Sequence, residues 1–370
     1  MAKKKIVFVM NNFWLGGTEQ LLLGLMAALS IDYQVAAVTV LGAGPLESEF
    51  KKIPVSIYHA SPVFFVSKKF IVKLLWVIAA PVTFIRLVIF LRKVKPDVVV
   101  TSLYQADVLG IFAAWLARIP KRILVQHDIQ WLGFFRKYLK WLLALRLATH
   151  IVAVSAVVKN FLALPLRVPE NKITIIYNGI NVAKFEKAAK PLIKQDIVFG
   201  IVGRLEPVKG HKLFLQALKI LQKENLAPKV IFAGDGTQKK DLEQYIQSNS
   251  LRNVEFVGPV TDVSGVLKLI DILVVPSAEE GFGLVLLEGL VSRKIIIASD
   301  IEACRELLAP GETGILFENK NTEQLAGAMR AFILEPTLAK SYHRNIEKWI
   351  HETGPKYDIK NLATKYQKLF

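Results

Sequence analysis

Short runs of β-branched and apolar residues recur along this chain with helix-patterned segments between them. That alternation constrains the fold more than any other feature. The first series is Lys5–Met10, Tyr33–Val40, Val55–His59, Asp97–Thr101, Arg122–Gln126, His150–Val154 and Ile173–Tyr177, separated by helical patterns such as Thr18–Leu29 and Ala106–Arg118. Successive β-α-β units of this kind pair as a parallel sheet with helices on its faces. A second series runs through Ile197–Val202, Lys229–Ala233, Val254–Val257, Ile272–Val275, Ile295–Ala298 and Thr313–Phe317. The pattern predicts an α/β protein of two doubly wound, parallel-sheet domains. At 370 residues and 52% hydrophobic the chain is too long for one ordinary core and too apolar for disorder. The expected junction is the turn Asn178-Gly179 and the polar stretch to Asp196, giving domains 1–180 and 181–350. Residues 351–370 carry a helical pattern from Tyr357 and are expected to return to the first domain.

The net charge of +17 is unevenly spread. Residues 1–180 hold 22 Lys and Arg against 8 Asp and Glu, a net +14, which leaves +3 for the remainder. A positive field attracts nucleic acid or an anionic membrane face, and charge alone does not choose. The neighbouring apolar residues favour the membrane. Segment 63–95 brackets an apolar stretch with Lys68, Lys69 and Lys73 before it and Arg92, Lys93 and Lys95 after it, and segment 134–147 (FFRKYLKWLLALRL) repeats the mixture. Phe70–Leu91 is long enough to span a bilayer, yet Lys73, Pro81 and Arg86 interrupt it. An interfacial amphipathic helix or helical hairpin is therefore expected; the alternative for both segments is an ordinary helix packed on the sheet. No recognised nucleic-acid motif accompanies the charge, so no nucleic-acid partner is expected. The single Cys304 cannot form an internal disulfide, and nothing at the amino terminus reads as a secretion signal, which points to a reducing cytoplasmic compartment.

Open parallel sheets bind ligands at the carboxyl ends of their strands, and three motifs fall in such positions. Asn11–Gln20 (NNFWLGGTEQ) follows the first strand, where Gly16 and Gly17 can bring bare amides to a phosphate at a helix amino terminus; the same residues also read as a turn capped by Thr18. In Gly203–Gly210 (GRLEPVKG), Arg204 and Lys209 can clamp a diphosphate, or can be two solvated surface cations. The most specific motif is Glu279–Glu288 (EEGFGLVLLE). If both are helical, Glu280 and Glu288 lie near one face, roughly two turns apart. A carboxylate is a good acceptor for the paired hydroxyls of a sugar or ribose. Glu288 sits in an apolar run, so an unpartnered, solvated role fits it poorly.

With GGTE, VAVS at Val152–Ser155, YNGIN at Tyr177–Asn181, VGRLEPVKG, FAGDG at Phe232–Gly236, FVGPV at Phe256–Val260 and EEGFGLVLLE in this order, the chain resembles the retaining glycosyltransferases of family 4 over nearly its whole length. Bacterial members build polysaccharides and glycolipids at membranes. The resemblance implies the GT-B fold, two Rossmann-like domains facing across a cleft. It implies that Glu280 holds donor-sugar hydroxyls, Glu288 the ribose diol, and Arg204 and Lys209 the diphosphate. It further places Gly16 and Gly17 beside that phosphate and the acceptor, the backbone around Val257 and Gly258 at the base, and amides of Phe282, Gly283 and Leu284 near sugar and phosphate. His127, in VQHDI, matches a cleft histidine that contacts the donor sugar; a lone histidine is otherwise more often structural. Asp128 beside it is a weaker candidate for orienting the acceptor.

The chemistry implied is retaining transfer from a nucleotide-sugar co-substrate, with no cofactor and no metal. Arg204 and Lys209 would stabilise the leaving diphosphate most strongly in the transition state. Asp300-Ile301-Glu302 is the nearest approach to Asp-x-Asp and reads as loop. The expected donor is a UDP-sugar, with GDP-mannose as the alternative. The expected acceptor is a lipid-linked saccharide or glycolipid, met by a peripheral enzyme on the inner face of the cytoplasmic membrane. A non-catalytic, membrane-associated binding protein on the same scaffold is the competing reading, and it would be expected to have lost the paired acids or the phosphate cations.

Overall fold

The computed structural model describes residues 3–62, 70–129, 133–188, 197–309 and 311–370, with 70–77 described as backbone only. Residues 63–69 of the first basic apolar segment and 189–196 of the expected junction lie outside these. The chain divides into two compact units, Met1–Gly179 with Ile359–Phe370, and Ile180–Asp358. The segment that joins the first unit thus begins at Ile359, and the helix Ala339–Glu352 belongs wholly to the second.

The first unit is built on a seven-stranded sheet of β1 (Lys5–Met10), β2 (Gln34–Thr39), β3 (Val55–His59), β4 (Val98–Ser102), β5 (Lys121–Gln126), β6 (His150–Ala153) and β7 (Ile173–Ile175). All neighbours are parallel, in the order β3-β2-β1-β4-β5-β6-β7. Five of the six residues of β1 are buried without alternation, as expected of a strand covered on both faces. The chain winds outward from β1 to β3, then returns to lay β4 on the other side of β1. Their carboxyl ends therefore diverge and leave a crevice. Asn11 spans it: its Nδ2 donates to Gln105 Oε1 at 2.8 Å, and its Oδ1 accepts from the Ala106 N–H at 3.0 Å.

Five helices of this unit matter below: α1 (Gly17–Leu29), α2 (Phe70–Val94), α3 (Tyr104–Leu116), α4 (Phe134–Lys140) and α5 (Ala156–Ala163). Helix α2 is one continuous helix with Pro81 inside it, so the hairpin alternative is corrected. Leu87, Val88 and Leu91 pack into a core with Val7, Val9, Val38 and Val99 of the sheet and Ala113 and Ala114 of α3. That face behaves as an ordinary domain helix. The opposite stripe, Ile78, Val82, Ile85 and Ile89, is exposed at spacings that keep it on one line. Among the described residues no helix is long and apolar enough to cross a membrane. Helix α4 runs into a π-helical turn, Trp141–Leu145, closed by the Arg146 N–H donating to Trp141 O at 3.0 Å.

The second unit repeats the plan with six strands, β8 (Val198–Val202), β9 (Lys229–Ala233), β10 (Val254–Gly258), β11 (Ile272–Val275), β12 (Ile295–Ser299) and β13 (Gly314–Phe317), in the order β10-β9-β8-β11-β12-β13. The crevice here lies between β8 and β11. Helix α6 (His211–Lys223) follows the loop after β8, and α7 (Leu284–Val291) follows the loop after β11. Gly210, at φ +72°, ends the first loop, and a Cβ there would stand 1.9 Å from the carbonyl oxygen of Pro276 in the second. Only glycine lets the two backbones approach so closely.

Candidate active site

The loops at the crevice of the second unit are joined by backbone before any side chain acts. The Ala278 N–H donates to Val208 O at 2.8 Å, the Leu205 N–H to Asp235 O at 3.0 Å, and the Gly234 N–H to Gly258 O at 2.8 Å. This ties the loops after β8, β9, β10 and β11 into one surface at the strand ends. On it, Lys209 Nζ donates to Glu280 Oε1 at 2.6 Å, and Ser277 Oγ donates to the same oxygen at 2.7 Å. Both members of the pair are largely enclosed, so the contact is stronger than a solvated ion pair. Arg204 is exposed on the same loop, and among the described residues it has no carboxylate partner.

Glu280 and Glu288 do not share a helix face, because only Glu288 is helical. Gly283 takes φ +84° and caps α7, so Glu280 stays in the loop while Glu288 sits in the second turn of the helix. The Glu288 carboxyl has no hydrogen-bonding partner among the described residues, while its backbone carbonyl accepts from the Ser292 N–H at 3.0 Å. Burial pushes its carboxyl up to about 8, with the Lys184 charge pulling the other way. Phe282 is buried against Tyr357 and can offer only backbone, as can Gly283 and, at the first turn, Leu284. Val257 and Gly258 end β10, with Gly258 at φ +76°. Asp300 is engaged by Arg305 Nη2 at 2.7 Å, and Glu302 opens a helix, so this stretch is a strand-end turn rather than all loop.

In the first unit Gly16 caps α1 and Gly17 begins it. The space a Cβ would occupy on Gly16 is taken by the Glu19 carboxylate, whose Oε2 stands 2.3 Å from that position. The acid already occupies the positive end of the helix, where the glycine pair alone suggested a phosphate. His127 follows β5, and its Nε2 lies 3.3 Å from Ser102 Oγ. An edge of the ring reaches solvent while Nδ1 is enclosed and without a partner. Burial, with the Lys140 charge adding to it, pushes the imidazole down to about 3, so it is neutral at ordinary pH.

Beneath His127 lies a polar cluster that the motifs did not reveal. Lys140 is buried, with Nζ 2.8 Å from Asp107 Oδ2 and donating to Gln126 Oε1 at 2.8 Å. Gln126 Nε2 in turn donates to Asp128 O and Oδ1 at 2.7 and 2.8 Å, and Thr101 Oγ1 donates to Asp107 Oδ1 at 2.8 Å. Burial raises the Asp107 carboxyl although Lys140 opposes it. Read in sequence, Lys140 belonged to a basic surface stretch. The signal that could have corrected this is Asp107 itself, an acid inside the apolar helix ADVLGIF, which requires a buried partner.

The fold and the strand-end surface of the second unit define a glycosyltransferase of the GT-B class. Residues 15–184 match the model described as Glycosyltransferase Family 4, and residues 183–349 match Glycosyl transferases group 1; the chain belongs to this family. It is 30% identical over 258 residues to the UDP-Gal:alpha-D-GlcNAc-diphosphoundecaprenol alpha-1,3-galactosyltransferase of Escherichia coli, covering 65% of this chain and 67% of that one. It is 25% identical over 279 residues to the capsular polysaccharide biosynthesis glycosyltransferase CapM of Staphylococcus aureus, covering 70% and 73%. Its fold is similar to that of Anabaena HepE, solved in complex with UDP and glucose, with a TM-score of 0.81 at 20% identity over 99% and 98% of the two chains.

Proposed function

We propose that the chain transfers a sugar, with retention of configuration and without a metal or cofactor, from a UDP-sugar to a lipid-linked saccharide acceptor at the inner face of the cytoplasmic membrane. The second unit takes the donor and the first takes the acceptor. The observation that carries this reading is the Lys209–Glu280 contact, which sets a cation and a hydroxyl-accepting carboxylate side by side at the strand-end crevice. Lys209 and Arg204 stabilise the charge that grows on the leaving diphosphate. Glu280 holds sugar hydroxyls, Glu288 holds the ribose diol, and the backbone at Val257–Gly258 meets the base. Amides of Phe282, Gly283 and Leu284 approach sugar and phosphate, Gly16 and Gly17 lie beside the acceptor, and neutral His127 hydrogen-bonds the transferred sugar.

The named relative from Escherichia coli supports a diphosphate-linked lipid acceptor, and UDP in the HepE complex supports the nucleotide. Membrane contact draws on the exposed stripe of α2 and on Phe134 and Phe135 of α4, 87% and 73% exposed, beside basic residues of the same segments. The test is nucleotide release by purified protein in lipid from a panel of UDP- and GDP-sugars. Turnover of one donor, abolished in Lys209→Ala and Glu288→Ala, is expected. Absence of turnover and of nucleotide binding would refute the reading.

A further inference from the structure

Two helices of the second unit meet along Glu288. The short helix Val182–Glu186 is capped by Asn181, whose Oδ1 accepts from the Lys184 N–H at 3.0 Å, and it packs against α7. The contact falls on a defined face of α7. Ser292 Oγ donates to the Phe185 carbonyl at 3.2 Å, and Ser292 stands one turn beyond Glu288 with its N–H on the Glu288 carbonyl. Residues four apart share a helix face, so Val182–Glu186 lies along the side of α7 that carries the Glu288 carboxyl. Lys184 is a cation of that short helix, and its charge acts on the carboxyl. Its Nζ is held 3.0 Å from Asp262 Oδ1. Asp262 follows β10 and caps the helix Val263–Leu267, the same oxygen accepting from the Ser264 N–H at 3.2 Å and from Ser264 Oγ at 2.7 Å. Lys184 thus ties the neighbourhood of Glu288 to the loop after β10. The two side chains are 45% and 57% exposed, and an ion pair so exposed contributes little and opens readily.

We propose that Lys184 is a positioning residue for the nucleoside end of the donor: it leaves Asp262 for the side of Glu288 when a ribose diol engages that carboxyl, and so sets how tightly the nucleoside is held. The inference rests on the donor reading above and adds the residue that acts behind Glu288 and the one that restrains it. A diol donates two hydrogen bonds and is answered best by an ionised carboxylate. Ionising a carboxyl in a site that disfavours its charge calls for a counter-charge close by. Two other cations of this unit are already committed, Lys209 to Glu280 and Arg305 to Asp300. Lys184 is the cation that the packing brings to the correct face of α7. Asp262 opposes the shift, because it offers the lysine a second carboxylate. When the lysine departs, Asp262 keeps both Ser264 contacts, so the cap of Val263–Leu267 does not depend on the ion pair.

The test is calorimetric binding of UDP to the full chain, with dideoxy-UDP as the probe that lacks the ribose diol. Lys184→Met should weaken UDP binding by about tenfold, and Lys184→Arg should restore most of the loss. Asp262→Asn keeps a capping side chain and frees the lysine, so it should tighten UDP binding by about threefold. In the Lys184→Met background the Asp262→Asn change should have no effect. Dideoxy-UDP should bind Lys184→Met within about twofold of the parent, which also shows that the variant folds. Equal losses with both probes would overturn the proposal in favour of a general pull of the lysine on phosphate. UDP binding indifferent to Lys184→Met, or weakened by Asp262→Asn, would overturn it in favour of a plain surface ion pair. A chain that binds no nucleotide defeats the donor reading and this inference together, whereas loss of UDP binding in Glu288→Ala but not in Lys184→Met defeats this inference alone.

Discussion

Lys209 and Glu280 meet at 2.6 Å across the two loops that border the crevice of the second unit, and Ser277 holds the same carboxylate oxygen. The acid therefore competes with any diphosphate for the ammonium. Glu280→Gln removes a negative charge from beside that diphosphate and leaves the sugar hydroxyls a single, neutral amide acceptor in place of the carboxylate. UDP affinity should hold or rise by up to about tenfold while turnover falls by about a hundredfold or more. Calorimetry with UDP and a single-turnover assay read the two effects separately, and a variant that kept its turnover would rule out the role given to Glu280.

Arg204 and Lys209 should separate in their effect on stability. Each alanine substitution is expected to lower kcat/KM by about 10²–10³, the usual loss when one transition-state charge contact is deleted. Arg204 is exposed and unpaired among the described residues, so thermal unfolding of Arg204→Ala should match the parent within about 0.5 kcal/mol. Lys209→Ala leaves Glu280 with Ser277 alone and should cost about 1–3 kcal/mol. Equal stability of the two variants would contradict the enclosed pair.

Glu288 supplies a pH dependence with a definite sign. Between the ordinary carboxylate value and about 8 the folded protein keeps a proton that the unfolded chain has released. Stability therefore falls as pH rises through that window and levels off above it. Glu288→Gln should lose this slope and be more stable than the parent above pH 8 by about 1–3 kcal/mol. A ribose diol favours the ionised carboxylate, so UDP binding near pH 7 should release close to one proton. Calorimetry in two buffers of different ionisation heat measures that release, and identical heats in both would contradict it.

The buried Lys140–Asp107 pair invites a double-mutant cycle. Lys140→Met strands the Asp107 carboxyl and should cost about 3–5 kcal/mol; Lys140→Met with Asp107→Leu should recover most of it, because apolar replacement of a whole buried pair is often neutral. Recovery of stability without recovery of turnover would mark the pair as the support of the His127–Asp128 turn. Additive losses in denaturant titration would argue against direct coupling.

The strands were legible because both faces of each sheet are covered, which writes continuous apolar runs into the sequence. Their observed ends differ from the sequence reading by no more than two residues. The loops of the second unit were legible as motifs because their glycines are forced by backbone contacts such as that of Gly210 with Pro276. The turn between Glu280 and Glu288 is legible in Gly281-Phe282-Gly283, and the shared helix face that their spacing allows does not form because the left-handed Gly283 starts the helix only after Glu280. Helix α2 was ambiguous for a physical reason: it is apolar on the side that packs and also on the stripe at Ile78, Val82, Ile85 and Ile89 that does not. The Lys140 cluster was invisible because a lysine gives no sequence sign of which way its helix turns it.

The backbone stitching of the second unit has a consequence for how such an enzyme can diversify. A Cβ on Gly210 would strike the Pro276 carbonyl, and one on Gly234 would stand 1.9 Å from Gly203 O, so this strand-end surface tolerates little change without collapse of its loops. The polar cluster beneath His127 in the first unit is made of side chains instead. Exchanging Asp128, which ends that network, alters its charge while leaving every strand-end loop of the second unit intact. On the proposed reading, such an enzyme can therefore vary its acceptor side by point substitution where the loops of the second unit stay fixed.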